Sequence, residues 1–204
     1  LACTKNGETG FARRICNSAS EVRGGAVGCS AFFDQGYLGA SVSTYRNDYG
    51  AVAEDEVTIA MQSTRHAVEG EWRNPVGWLQ SIKAQASHTD YRHTEFDAGA
   101  PGTVFSNKGN DFRLQARHAR LGALDGVIGV QGETTRFSAV GDEAFAPFSR
   151  TRQSAVFVHE ELTTGWGRLS FGARRESVRV QSFGNPDVAR FVPASRSFNP
   201  TSYA

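Results

Sequence analysis

Apolar and polar residues alternate along much of this chain. The pattern is clear in Ile82–Ser87, where every second residue is apolar and the residues between them are Lys, Gln and Ser. The same alternation recurs in Phe112–Arg117, Ile128–Glu133 and Arg168–Arg174. Because successive side chains of a β-strand point to opposite faces, each stretch predicts a strand with one apolar and one polar face.

Turn-forming residues divide the chain into long extended stretches. The predicted strands are Gly25–Phe33, Tyr37–Asn47, Val57–Trp72, Leu79–Phe96, Thr103–His118, Val127–Val140, Ser149–Leu162 and Arg168–Ser182, with a ninth beginning near Phe191. Strands of soluble proteins usually have about 5–6 residues, whereas a tilted strand needs about 9–11 to cross a bilayer. The lengths therefore favour strands that cross a membrane and extend beyond it.

The links between these strands alternate in length. The short links are Asp34–Gly36, Arg73–Gly77, Leu121–Asp125 and Thr163–Gly167, and the longer ones are Asp48–Glu56, Asp97–Gly102, Gly141–Phe148 and Gly184–Arg190. Outer-membrane barrels have short periplasmic turns and longer extracellular loops. We therefore predict an all-β, antiparallel transmembrane β-barrel with the longer loops outside the cell.

The composition narrows the class of protein further. The 22 basic and 21 acidic residues nearly cancel, so the electrostatic footprint of a nucleic-acid-binding protein is missing. Apolar residues make up 39% with a single Met, which is poor for a packed soluble core, whereas the 22 Gly and 14 Phe are plentiful. No apolar run reaches the about 18 residues of a membrane helix. The chain begins with Leu1, and we expect a further segment to precede it.

Seven short segments carry a resemblance to a known family. In chain order they are Asn47–Gly50, Thr89–Glu95, Thr103–Gly109, Leu114–His118, Gly126–Gln131, Gly141–Phe145 and Phe171–Arg174. Their order and spacing, which cover most of the chain from about residue 20 onward, resemble TonB-dependent outer-membrane receptors. The likeness is strongest to the zinc-uptake (ZnuD-type) branch.

The resemblance implies a barrel of about 22 strands with a plug domain in its lumen. Residues 1–204 would then be a partial barrel domain that supplies about nine strands, and the plug and the C-terminal strands would be absent from it. The resemblance also implies that transport is energised through TonB–ExbB–ExbD, which contacts the missing plug segment.

Metal-binding residue types share one face at the end of a predicted strand. His93, Glu95 and Asp97 are spaced by two and continue the polar parity of Lys83. Imidazole nitrogens and carboxylate oxygens are ordinary zinc ligands. Alternate Cα atoms of a strand lie about 6.6–6.8 Å apart, so we expect one or two of these residues to bind metal together with ligands from elsewhere. The alternative is that they are hydrated residues of the barrel wall. The resemblance implies a metal-binding role for Glu95, which matches the Glu of the family's tyrosine-arginine-histidine motif.

Acidic residues cluster in the predicted outer loops, where they could attract cations through their local field. These residues are Asp48, Glu54, Asp55, Glu56, Asp142 and Glu143. The alternative is a hydrated acidic loop without a ligand. Some zinc receptors carry a His-rich loop in this region, and this sequence does not.

Two of the three cysteines bracket a polar stretch near the start of the chain. Cys3 and Cys16 could form a disulfide in an oxidising compartment. The alternative is that both are free thiols, like Cys29.

The predicted function is uptake of a metal, with zinc as the first cargo, across a bacterial outer membrane. The expected partners are the TonB–ExbB–ExbD system, outer-membrane lipid and the metal, with no nucleic acid. We expect no prosthetic group, and zinc or chelated iron would be the transported ligand. Enzyme motifs such as H-E-x-x-H and the P-loop do not occur, so no enzymatic activity is expected. The alternatives are an iron-siderophore receptor, a passive porin or adhesion barrel, and a soluble β-sandwich.

Overall fold

A single antiparallel sheet contains all ten strands of the described residues. The computed structural model describes residues 15–54, 56–142, 144–185 and 188–204. Its strands are β1 (Ser20–Phe33), β2 (Gly36–Gly50), β3 (Val57–Val76), β4 (Leu79–Asp97), β5 (Ala100–His118), β6 (Leu124–Val140), β7 (Phe148–Thr164), β8 (Gly167–Gly184), β9 (Pro193–Phe198) and β10 (Thr201–Tyr203). Strands β1 to β8 pair in chain order, so the sheet is a meander. The described residues contain no helix long and apolar enough to span a membrane.

Strands β9 and β10 form one interrupted strand along the edge of β8. Val178 pairs with Phe198 and Arg175 pairs with Thr201, so both segments keep the same register against β8. Between them, the carbonyl oxygen of Pro200 accepts a hydrogen bond from the Glu176 amide at 3.0 Å. Because proline has no amide hydrogen to donate, the ladder is interrupted at Pro200. The prediction of nine strands is therefore confirmed.

The links at the two ends of the sheet differ, and one predicted loop is wrong. At the turn end the links are residues 34–35, 77–78, 119–123 and 165–166, and at the loop end they are residues 51–56, 98–99, 141–147 and 185–192. The predicted long loop Asp97–Gly102 is a two-residue turn, in which Ala98 and Gly99 have φ of 47° and 83°. Two consecutive positive φ angles fit the tight hairpin turns that match the twist of antiparallel strands. Asp48, predicted in an outer loop, lies within β2.

The outer face, defined as the face that carries Val68, Ala84 and Leu114, has a continuous apolar band. One row of directly paired residues crosses six strands and contains Leu38, Gly70, Ala84, Leu114, Val130 and Val156. Large apolar side chains of this band, such as Leu38, Leu114 and Ile128, are 57%, 44% and 61% exposed. No other layer of the described chain packs on them, since every element contact is between neighbouring strands of the sheet.

The inner face, defined as the face that carries Glu69, Gln85 and Arg113, is polar. Glu69, Gln85, Arg113 and Gln131 pair directly with one another in a row that lies beside the apolar row. The Glu69 carboxylate accepts hydrogen bonds from Tyr37 Oη and Gln85 Nε2, each at 2.9 Å. These bonds join three strands. They give hydrogen-bond partners to polar groups that would cost free energy if they faced lipid without partners.

The three tryptophans lie at or near the turn end. Trp72 is near the end of β3, and Trp78 and Trp166 lie in the links, where they are 69% and 77% exposed. Tryptophan is enriched where a membrane surface meets water, because its ring is apolar and its N–H is polar. The arrangement fits a membrane boundary at this end of the sheet.

Candidate metal-binding site

His93 lies on the inner face near the loop end, as the sequence predicts. Its ring stacks on Phe105 with a centroid separation of 4.4 Å and an interplanar angle of 22°. Its Nδ1 atom lies 3.0 Å from the hydroxyl of Tyr91, two residues earlier on the same face. These two contacts fix the orientation of the imidazole.

Loops fold over the inner face and bury the aromatic partner of His93. Phe105, Ala139 and Ala144 are at most 4% exposed and form a small core with Phe137 and Val188 packed against it. The Asn185 side chain donates a hydrogen bond to the Ala139 carbonyl oxygen at 3.1 Å. Residues from links 141–147 and 185–192 thus cover part of the inner face next to His93.

Glu95 and Asp97 continue the strand beyond His93. The register with β3 places Met61 opposite His93, Ile59 opposite Glu95 and Val57 opposite Asp97. Asp97 is exposed, and Glu95 is partly buried and engaged in an interaction. Against β5, a register shift falls between Thr94 and Phe96, so Glu95 lies at a bulge. Bulges alter the direction of a side chain relative to a regular strand.

The described residues include no group of three or more His, Cys, Asp or Glu that could hold a metal ion. A metal at this place would need other ligands in addition to one or two of His93, Glu95 and Asp97, as the strand spacing already requires. Their role in binding metal stays a prediction.

Comparison with solved structures identifies the architecture. Copper transporter OprC has a similar fold, with a TM-score of 0.78, 13% sequence identity and coverage of 92% of this chain and 34% of that chain. The chain has the fold of part of an outer-membrane β-barrel. It spans about a third of the length of that protein, and at this identity the likeness concerns the fold alone. No protein-family model matches the sequence.

The barrel geometry reveals a residue that sequence reasoning missed. Met61 is the single methionine of the chain, and it lies directly opposite His93 on the inner face. Directly opposed residues have Cβ atoms about 4.5–5.5 Å apart, so one thioether and one imidazole are neighbours. Counting residues back from the turn at 77–78 does not find this pair. A bulge at Asn74 and Pro75, two residues opposing Gln80 alone, shifts that count by one.

Two other histidines are also brought together. His66 and His88 are directly opposed on the outer face, and His88 Nδ1 lies 2.9 Å from the Asn110 side-chain oxygen. Residue spacing in the sequence does not show that His66 and His88 meet, because the same bulge sets the register of the whole β3–β4 pair.

The described acidic residues that were predicted to attract cations lie in separate elements of the sheet, and Asp48 lies within β2. Glu54 and Glu56 lie in link 51–56, where the Asn17 side chain donates hydrogen bonds to the carbonyl oxygens of Ala51 and Glu54 at 3.0 and 2.8 Å. Asp142 is exposed in link 141–147. Asp55 and Glu143 lie outside the described residues. That these acidic residues attract cations through their local electric field stays a prediction.

The predicted Cys3–Cys16 disulfide involves a residue outside the described part of the chain. Cys16 is disulfide-bonded, and Cys29 is free and exposed. That Cys3 is the partner of Cys16 stays a prediction.

Proposed function

We propose that this chain is part of a TonB-dependent outer-membrane receptor that takes up a metal. The observation that carries the proposal is the pairing of an apolar row, Leu38 to Val156, with a polar row, Glu69 to Gln131, on opposite faces of one sheet. Hydrocarbon against the first row and water or a plug domain against the second would satisfy both. The plug, and with it the contact to TonB–ExbB–ExbD, would lie elsewhere in the protein.

The site at the loop end supports metal as the class of cargo. His93 offers an imidazole on the inner face, Glu95 a carboxylate and Met61 a thioether. Imidazole with carboxylate suits zinc, whereas imidazole with thioether suits copper in its reduced form. The solved structure with a similar fold is named a copper transporter. We therefore propose a transition metal as the cargo, with zinc and reduced copper as the two candidates.

The experiment that tests the cargo is competitive binding on the protein that carries this chain, purified in detergent. Zinc and copper, the latter kept reduced, are added separately and in competition, with and without His93→Ala. Loss of metal binding in His93→Ala supports the proposal. Equal binding in both proteins would remove the site, and preference for a bulky iron chelate over either free ion would favour the siderophore alternative.

A further inference from the structure

Four arginines form a patch on the outer face, on the loop side of the apolar band. Arg136 pairs directly with Arg150, and Arg152 pairs directly with Arg179, so two pairs of like charges face each other across neighbouring strands. Directly opposed like charges destabilise a sheet. Charge repulsion within this arginine patch therefore destabilises the sheet, and a bound anion would reduce that repulsion.

Protein carboxylates do not supply that anion within the described residues. None of the four arginines has an acidic side chain within 4.0 Å there, whereas Lys108, next to Arg136 in the same row, lies 2.8 Å from Asp90. Several other arginines do have an acidic partner, such as Arg168 with Glu161 at 2.9 Å.

Arg150 has a buried donor without a partner. Its Nε atom is inaccessible to solvent and makes no hydrogen bond in the structure. The guanidinium carbon lies 5.5 Å from the centroid of the Phe183 ring, which holds the side chain against the sheet. A buried N–H without an acceptor is costly, so Arg150 adds to the energetic cost of the arginine patch.

Hydroxyl groups surround the second arginine pair. Arg152 and Arg179 line a shallow recess of about 710 Å³ together with Thr134, Ser154, Ser177 and Ser197. The register puts all six on the outer face, whereas Glu133 and Asp111 at the same level belong to the inner face. Guanidinium forks and hydroxyls are the donors that bind phosphate oxygens well.

We infer that the arginine patch binds the phosphate of a lipid headgroup in the surrounding membrane. The recess begins where the apolar band ends, since Phe112 and Gly132 form part of its lining. A lipid whose chains cover the band would place its headgroup at this level. The inference rests on the proposed membrane location, and it adds a ligand that the transport function does not require. Basic residues at the edge of an apolar membrane surface attract anionic headgroups.

The test is lipid binding by the purified protein in a non-ionic detergent. The probes are bisphosphorylated lipid A, the same lipid after removal of both phosphates, and inorganic phosphate, with lipid occupancy read by native mass spectrometry. The double variant Arg152→Gln/Arg179→Gln should bind bisphosphorylated lipid A at least about tenfold more weakly. The control Arg73→Gln/Arg168→Gln removes two charges at the turn end, where both side chains are more than half exposed, and should bind as the unchanged protein does.

Three outcomes would overturn the inference. The patch variant could bind as tightly as the control, the dephosphorylated lipid could bind as well as the phosphorylated one, or inorganic phosphate alone could bind as tightly as the lipid. Heat-modifiable gel mobility of both variants verifies folding. If the protein does not enter membranes at all, the proposed function fails instead, so the two failures are distinguishable.

Discussion

At the scale of single residues, Gly129 shows how β6 accommodates side chains from its neighbours. A Cβ at this position would lie 2.4 Å from Cζ of Phe157 and 2.7 Å from the Leu114 carbonyl oxygen. The Phe157 ring therefore lies over the glycine, and the Arg113 guanidinium stacks on that ring at 4.5 Å. The packing of the Phe157 ring on the inner face therefore requires that residue 129 has no side chain.

Gly129→Ala should destabilise the folded protein by about 1–3 kcal/mol, because the ring must move and the backbone of Leu114 cannot. The measurement is the urea midpoint of unfolding in liposomes. Gly109→Ala is the matched control, since its Cβ would meet only the Thr135 methyl at 3.7 Å on the same face. Equal shifts in the two variants would contradict this explanation.

Glu95→Ala should weaken metal binding by at least about tenfold, since it removes a candidate ligand or the group that orients one. Calorimetry with zinc measures the effect. Asp34→Ala is the control, because it removes an exposed carboxylate at the opposite end of the sheet. Unchanged zinc affinity would exclude Glu95 from the site.

Met61→Ala separates the two candidate cargoes. Thioether sulfur binds reduced copper and contributes little to zinc, so copper affinity should fall by about tenfold while zinc affinity stays the same. Competition binding with both ions measures the ratio. Loss of zinc binding alone, or no change for copper, would contradict the proposed role of Met61.

At the scale of strands, alternation in the sequence predicted the elements well and did not reveal their register. The stretch Ile82–Ser87 shows its two faces directly, because side-chain direction has period two. The turn at Ala98–Gly99 was predicted as a loop, since Asp, Ala and Gly fit both. The pairing of His66 with His88 depends on a bulge at Asn74, which no local pattern reveals.

Neighbouring residues of β4 offer a test of its two faces. Ala84→Lys places a charge in the apolar row and should destabilise insertion by about 2–4 kcal/mol. Gln85→Lys places the same charge on the inner face beside Glu69 and should have little effect. Folding titrations into lipid vesicles measure both. A comparable loss for the two variants would show that Ala84 does not face hydrocarbon.

At the scale of the whole molecule, the sheet has edges that a membrane does not satisfy. Strand β1 pairs only with β2 within the described chain, and the strand formed by β9 and β10 pairs only with β8. Backbone groups left unpaired in lipid are costly, so the proposed membrane location requires partners for both of these edges. Residues 1–204 produced alone should therefore fail to give a protease-resistant, heat-modifiable species in vesicles. Recovery of such a species would mean that this sheet closes by itself.

The candidate site combines residues of one strand with residues from distant segments. The sequence predicted the first group and not the second. His93, Glu95 and Asp97 could be assigned to one face from their spacing. The stacking of His93 on Phe105 could not, because Phe105 comes from β5 and is buried by links 141–147 and 185–192. The alternation of apolar and polar residues does not predict contacts between distant segments, because these contacts depend on strand register and loop geometry.

The proposed transport function requires that the two faces of these strands meet hydrocarbon and water. Spin labels placed singly at the six positions of Phe112–Arg117, in the protein that carries this chain with Cys29→Ser, measure this in vesicles. We expect oxygen accessibility to be high at 112, 114 and 116 and accessibility to a water-soluble nickel complex to be high at 113, 115 and 117. Equal accessibility at all six positions, or apolar positions shielded from both reagents, would contradict the proposed membrane orientation of the strands.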